Sequence, residues 1–256
     1  MTSLLDHCHR LLSGIPGVGR IVRHVSRMER ATLVVVALTA GAFYLFVAIA
    51  DEVREGGTRS LDERILLALR VPGDLSNPIG PRWLEESMRD LTALGGTTVL
   101  SLMTLAVICF LLMVRKRQTA LIVLLSVAGG ALLSTLFKWG FSRPRPDLVP
   151  HGMAVYSESF PSGHSMMSAI VYLTLGALLA RTQARWRVKA FLFGLAIALT
   201  FIVGVSRLYL GVHWPTDVLG GWTLGAGWAA LCWLVMLYLQ SQGEVEPEEP
   251  ARDPDA

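Results

Sequence analysis

Charge is what this sequence has least of. Asp, Glu, Lys and Arg make up only 17% of its 256 residues, whereas 52% are hydrophobic and the mean hydropathy is +0.49. A soluble domain of this length is rarely so apolar, which excludes the ordinary water-soluble enzyme and points to an integral membrane protein. Cysteine is scarce as well. Cys8, Cys109 and Cys232 lack metal-ligand spacing, so neither a disulfide framework nor a thiolate metal centre is expected. Cys109 and Cys232 lie inside apolar runs and read as small buried hydrophobes. A cleavable leader is not expected, because about thirty mostly polar and basic residues precede the first apolar run.

Six apolar runs stand out: Ala31–Ala50, Leu91–Val114, Gln118–Phe137, His164–Ala180, Ala190–Ser206 and Val218–Gln240. Apart from His164, which opens the fourth, none holds an acid, a base or a histidine. Each is about long enough to cross a hydrocarbon core of roughly 30 Å as a helix. The expected fold is an all-α integral membrane bundle of six transmembrane helices over residues 31–240. A basic segment, 1–30, precedes it. An acidic, proline-rich stretch, 241–256, follows and reads as disordered from Gly243 onward.

The net charge of +3 says little; the placement of the charges says more. Arg10, Arg20, Arg23, Arg27 and Arg30 flank the first span, Arg115-Lys116-Arg117 separates the second and third, and Arg181 to Lys189 (RTQARWRVK) separates the fourth and fifth. By the positive-inside tendency these segments and both termini are cytoplasmic. Loop 51–90 then lies outside, net acidic with nine Asp or Glu against six Arg. Within it Ser60-Leu-Asp-Glu63 has the form of a capping box, and Leu61, Ile65, Leu66 and Leu69 follow at helical spacing. A short interfacial helix is expected there, with a second near Trp83–Met88. It either lies structurally on the lipid surface or forms a rim that shapes access for a lipid substrate.

On this topology the polar ends of spans three to six meet on the outer side. Lys138, Arg143 and Arg145 follow span three, Ser162-Gly163-His164 opens span four, Arg207 ends span five, and His213 and Asp217 precede span six. Charges between apolar runs are expensive unless used or able to reach the surface. Guanidinium groups offer forked donors suited to phosphate oxygens, and lysine adds a point charge. Ser162 can cap span four, whose free backbone N–H groups make an anion site, while Gly163 lets a ligand approach the backbone. His213 and Asp217 are four apart, so one helical turn could hold both on a face, the carboxylate orienting the imidazole. Trp214-Pro215 suits the start of that helix and pushes Trp214 toward an extended conformation. The sum is a phosphate cradle, with His213 as nucleophile, Asp217 accepting its other N–H and His164 as the acid on the departing oxygen.

Lys138-x6-Arg145-Pro146, then Pro161-Ser-Gly-His164, then Ser206-Arg207-x5-His213-x3-Asp217 resembles the tripartite signature of the type 2 phosphatidic acid phosphatase (PAP2) family, a superfamily that includes vanadium-dependent haloperoxidases. The resemblance covers residues 138–217. It implies His213 as nucleophile, His164 as acid, Asp217 as its partner, phosphate held by Lys138, Arg145, Ser162, Gly163 and Arg207, and no metal or other cofactor. Arg143 matches no fixed position of the signature and reads as a rim residue. The implied substrate is undecaprenyl pyrophosphate, phosphatidylglycerol phosphate, phosphatidate or a lipid A phosphate, in a bacterial inner membrane; no nucleic-acid partner is expected. A lipid-to-lipid phosphotransferase, a metal hydrolase using His164, His213 and Asp217, vanadate-dependent oxidation and a non-enzymatic lipid-anion binder or transporter stay open. Singly, each residue also has a plain reading. Lys138 can snorkel, Ser162-Gly163 can be only a cap and turn, and His213 can be a hydrogen-bonded interface histidine.

Overall fold

The computed structural model describes residues 30–149 and 157–246. Among the described residues eight helices follow one another, α1 (Arg30–Glu55), α2 (Arg59–Ala68), α3 (Arg82–Ala93), α4 (Thr97–Met113), α5 (Arg117–Phe141), α6 (Gly163–Arg181), α7 (Trp186–Tyr209) and α8 (Pro215–Ser241). Between α2 and α3 a short antiparallel hairpin pairs β1 (Arg70–Val71) with β2 (Asp74–Pro78), an element the sequence pattern did not announce. Five of the helices are long and apolar enough to span a membrane, and α3 with α4 makes a sixth if counted as one bent span. Leu38, Leu102, Leu125, Phe191 and Phe201 are exposed along them, as residues facing lipid tails are.

Helix α6 is the centre of the bundle. Half of its most apolar window is buried, against 17% to 28% in the other four long helices, and it packs between α7 and α8, while α8 also carries α1. Small residues let α8 lie close. A Cβ on Gly221 would stand 2.7 Å from the Ser162 carbonyl oxygen and one on Gly225 2.5 Å from that of Met166, so neither position admits a side chain without moving a backbone. The ends are set locally. Ser142 takes a left-handed conformation and closes α5 with its N–H on the Lys138 carbonyl, ahead of Pro144 and Pro146. Pro215 stands at the first turn of α8 after an extended Trp214, as its fixed φ favours.

Several expectations are corrected. Leu91–Val114 is not one straight span, because the chain breaks at Leu94–Gly96 and α3 meets α4 at a 45° bend. Gly95 sits there against Val203 and the backbone of His164, with no room for a Cβ. Ser60 does not cap α2, which begins at Arg59 after Thr58 with no side-chain cap bond, and Asp62 turns inward instead. Leu61 and Ile65 are exposed, whereas Leu66 is buried. Loop 51–90 does not merely lie on lipid. Arg70 donates to the Tyr209 carbonyl and the Tyr209 hydroxyl to that of Ile79, so the segment is docked onto the end of α7, and just beyond it the Leu94 carbonyl accepts the Tyr172 hydroxyl from the middle of α6. Residues 243–246, the first of the stretch expected to be disordered, pack on the bundle. Val245 is buried, and the Glu246 carboxylate accepts the Gln118 and Thr119 N–H groups at the start of α5, where a helix dipole favours an anion. Cys109 is exposed rather than buried. The basic segment 1–29, with Cys8 and the remainder of the tail, lies outside the described residues.

Candidate active site

One end of the bundle collects the polar residues. His213 is in the turn between α7 and α8 rather than on the helix with Asp217, a correction to the shared-face expectation. Extended Trp214 and Pro215 still bring the two together. Nδ1 of His213 stands 3.4 Å from Asp217 Oδ2, and both side chains are buried. Asp217 is the third residue of α8, where its Oδ2 also accepts the Trp214 backbone N–H at 2.9 Å. The Ser159 hydroxyl donates to the same oxygen and lies 3.4 Å from His213 Nδ1. With Nδ1 against a carboxylate, the ring proton belongs on Nδ1 and the Nε2 lone pair faces away, toward Arg145 Nη1 at 3.2 Å. Burial first, then the charges of Arg207, Arg145 and Lys138, hold this imidazole well below its usual 6.5, so it is neutral at neutral pH.

The cations are positioned one by one. Arg145 donates Nε to the Ser157 carbonyl (2.7 Å), Nη1 to that of Val212 (2.7 Å) and Nη2 to the Ser157 hydroxyl (3.3 Å). Lys138, in the last turn of α5, reaches the Glu158 carbonyl at 2.7 Å and the Ser157 hydroxyl at 3.2 Å, which is an inward engagement and not snorkelling. Arg207 is buried in the last turn of α7 and donates to Thr92 on α3 at 3.1 Å. Ser162 caps α6, accepting the Ser165 N–H at 3.4 Å, and its own N–H donates to the Asp217 carbonyl at 2.9 Å. Gly163 faces the Lys138 side chain, and His164 follows it, half-buried beneath Gly95. Lys138, Arg145 and Arg207 lie within electrostatic reach of both histidines. The structure therefore brings together His213, Asp217, His164, Lys138, Arg145, Ser162, Gly163 and Arg207 at one bundle end.

Arg143 is not a rim residue. Its Nη1 donates to Asp217 Oδ1 at 2.5 Å and Thr216 Oγ1 at 2.8 Å, its Nη2 to Asp62 Oδ2 at 2.7 Å, and its guanidinium lies 5.6 Å from the Trp214 ring centroid. Asp62, Ser159, Thr92 and Thr216 were likewise missed by sequence reasoning. Asp62 gave no signal of its own, standing among Arg59, Glu63 and Arg64 in a short, charged helix. His151 lies outside the described residues.

A helical membrane bundle with cations, two histidines and a carboxylate at one end is built for anionic head groups, and known proteins agree. The PAP2 superfamily profile matches residues 119–241. Phosphatidylglycerophosphatase B of Bacillus subtilis is 34% identical over 72% of this chain and 87% of its own. An undecaprenyl-diphosphatase of Sulfolobus acidocaldarius is 37% identical over 32% of each chain, and a lipid A 1-phosphatase of Rhizobium etli is 34% identical over 41% of this chain and 45% of its own. The crystal structure of a transmembrane PAP2-type phosphatidylglycerolphosphate phosphatase from Bacillus subtilis superposes with a TM-score of 0.69, at 32% identity, over 76% of this chain and 93% of the other. Fold and sequence together define an integral membrane lipid phosphatase. The chain belongs to the PAP2 superfamily.

Proposed function

We propose that the chain removes the terminal phosphate of a membrane lipid through a phosphohistidine on His213. The observation that carries the reading is the disposition of that ring: Nδ1 against Asp217, Nε2 turned to the cluster of Arg145, Arg207 and Lys138. In the first step Nε2 attacks phosphorus, the bond from phosphorus to the lipid oxygen breaks, and His164, which takes up its proton once the phosphate dianion offsets the three cations, gives that proton to the departing oxygen. In the second, His164 takes a proton from water, the water oxygen bonds to phosphorus, and the phosphorus–nitrogen bond breaks to release inorganic phosphate and neutral His213. Lys138, Arg145, Arg207 and the N–H groups at the start of α6 offset charge on the equatorial oxygens. The chemistry needs no metal, and the same cations oppose a divalent ion.

Phosphatidylglycerol phosphate is the leading substrate, supported by the Bacillus relative that matches most of both chains. Undecaprenyl pyrophosphate and lipid A phosphates follow, on shorter matches. An apolar cavity of about 430 Å³ between α1, α5 and α8, lined by Phe46, Phe137, Phe141, Leu224 and Trp228, offers room for a lipid chain. Phe141 packs on Phe160 at 4.8 Å between centroids, which ties this cavity to the loop of Ser159 and Ser162. The basic loops support a topology with both termini in the cytoplasm and the site on the outer side of a bacterial inner membrane. The test is phosphate release in detergent with EDTA from phosphatidylglycerol phosphate, undecaprenyl pyrophosphate, phosphatidate and a lipid A phosphate, with His213→Ala beside the parent. Fastest release from phosphatidylglycerol phosphate, lost in the variant, is expected. No release by folded protein from any lipid overturns the hydrolase, and equal release by His213→Ala overturns the mechanism.

A further inference from the structure

Asp62 lies on α2, outside the part of the chain that the superfamily profile matches, yet it ends inside the catalytic end of the bundle with 0% of its surface exposed. A buried carboxylate is costly unless every lone pair is used. Here Oδ1 accepts the Thr216 backbone N–H at 2.9 Å, and Oδ2 accepts the Thr216 hydroxyl at 2.6 Å and Arg143 Nη2 at 2.7 Å. Thr216 is the residue before Asp217 in the first turn of α8, where free N–H groups and the helix dipole favour an anion. The planar Arg143 guanidinium thus joins two buried carboxylates through its two terminal nitrogens, Asp62 at 2.7 Å and Asp217 at 2.5 Å. Asp217 in turn faces His213 with its other oxygen.

We propose that Asp62 and Arg143 are positioning residues for this phosphatase, a relay from the 51–90 segment that sets the orientation and charge of Asp217 and, through it, of His213. The proposal rests on the reading of His213 as nucleophile. Arg143 alone would draw charge from Asp217 and weaken its hold on the Nδ1 proton. Asp62 shares that cation, so Asp217 keeps its acceptor strength toward the ring. Asp62 also pins Thr216, which fixes the first turn of α8 against α2. The docked segment becomes part of the reaction centre without touching substrate.

The trio of Asp62, Arg143 and Asp217 carries a single net negative charge. Asp62→Asn removes it, Arg143→Gln leaves two unscreened carboxylates, and the double variant brings the single charge back. In detergent-purified full chain, with the lipid turned over fastest by the parent, Asp62→Asn is expected to lower kcat by roughly 10- to 100-fold. KM should stay within about twofold, since no phosphate contact is removed. The double variant is expected to be more active than Arg143→Gln alone, a rescue that independent structural losses do not produce. Thermal unfolding normalises each rate to folded protein. Unchanged kcat per folded Asp62→Asn molecule, a loss confined to KM, or additive losses in the double variant overturn the proposal. Should Asp62→Asn fail to fold, Arg143→Lys decides, because it keeps the charge but loses the fork: a normal kcat overturns the relay, a fall with KM held supports it. His213→Ala is run alongside. If it retains activity the nucleophile assignment fails and the relay with it, whereas an inactive His213→Ala beside a fully active Asp62→Asn overturns the relay alone.

Discussion

Asp217→Asn is the substitution on which fold and chemistry make the sharpest joint demand. Four donors converge on this carboxylate: Arg143 Nη1 at 2.5 Å on Oδ1, and the Trp214 N–H at 2.9 Å, the Ser159 hydroxyl and His213 Nδ1 at 3.4 Å on Oδ2. A carboxylate accepts from all of them, whereas an amide must turn its NH₂ toward one side. Either orientation removes the negative charge and breaks the buried ion pair with Arg143, at a cost of about 3–5 kcal/mol, and if NH₂ replaces Oδ1 a donor also meets the guanidinium. If NH₂ replaces Oδ2 it meets the Trp214 N–H and His213. The ring is then driven to carry its proton on Nε2, and the lone pair needed for attack is gone. A wrong tautomer costs about 10⁴ in kcat in the Ser-His-Asp enzymes, and a weakened supporting group about 10². The expected loss in kcat therefore lies between ~10² and ~10⁴, with KM within about threefold because Lys138, Arg145 and Arg207 are untouched. Phosphate release gives the rate, and thermal unfolding in detergent gives the stability, which is also expected to fall. A folded variant within about fivefold of the parent rate would refute the reasoning.

Two further outcomes follow from the same arrangement of side chains. Since burial and three cations depress the His213 pKa below 6.5, the ring stays neutral as pH falls, and ¹⁵N spectra are expected to show no protonation of His213 between about pH 8 and about pH 6. The linked stability has the matching sign: below 6.5 the unfolded chain binds the proton first, so the fold loses stability as pH falls toward the folded value, and a midpoint at or above 6.5 refutes both statements. Gly221→Ala places a methyl 2.7 Å from the Ser162 carbonyl oxygen and 2.9 Å from Ser165 Cβ, so α8 must withdraw from the start of α6. A stability loss of roughly 1–3 kcal/mol with reduced phosphate release is expected, and a variant with the parent's melting temperature and rate would refute the close packing.

The parts of this protein legible in the sequence are those whose physics is local. Apolar runs of membrane-spanning length announce helices wherever they occur, and Pro215 and Ser162 mark helix starts by rules that act within a turn. Lys138, Arg145, His164, Arg207, His213 and Asp217 could be gathered because span counting places helix ends on one side before any contact is known. Asp62 was hidden for the opposite reason. Its partner Thr216 is 154 residues away, and no pattern near Asp62 distinguishes a buried anchor from a capping carboxylate. Ser159 stands 58 residues before Asp217, and Thr92 lies 115 before Arg207. The Asp62 and Thr92 pairs exist only because segment 51–96 docks on the bundle, and the Ser159 pair only because its loop folds back over α8, neither of which periodicity along one helix can report. The broken second span has the same origin: Gly95 is a flexible pair member in sequence, but its close approach to His164 and Val203 is set by α6 and α7.

Arg143 and Arg145 are two apart in one loop, and what each touches separates their tasks. Arg143 gives both terminal nitrogens to carboxylates, so its charge is neutralised inside the protein and has little left for a ligand. Arg145 and Lys138 are held by neutral groups, the carbonyls of Ser157, Val212 and Glu158 and the Ser157 hydroxyl. Such acceptors fix direction without cancelling charge. In a half-buried site their charge is offset only in part, by Asp217 and Glu158, and after burial it is the field of these groups, with Arg207, that holds His213 neutral. On the proposed mechanism, a nucleophile that stays unprotonated and a cradle that attracts a phosphate are thus two consequences of one arrangement. Moving a carboxylate into reach of Arg145 would weaken both at once, whereas Arg143 can be neutralised, and must be, for Asp217 to sit buried beside it.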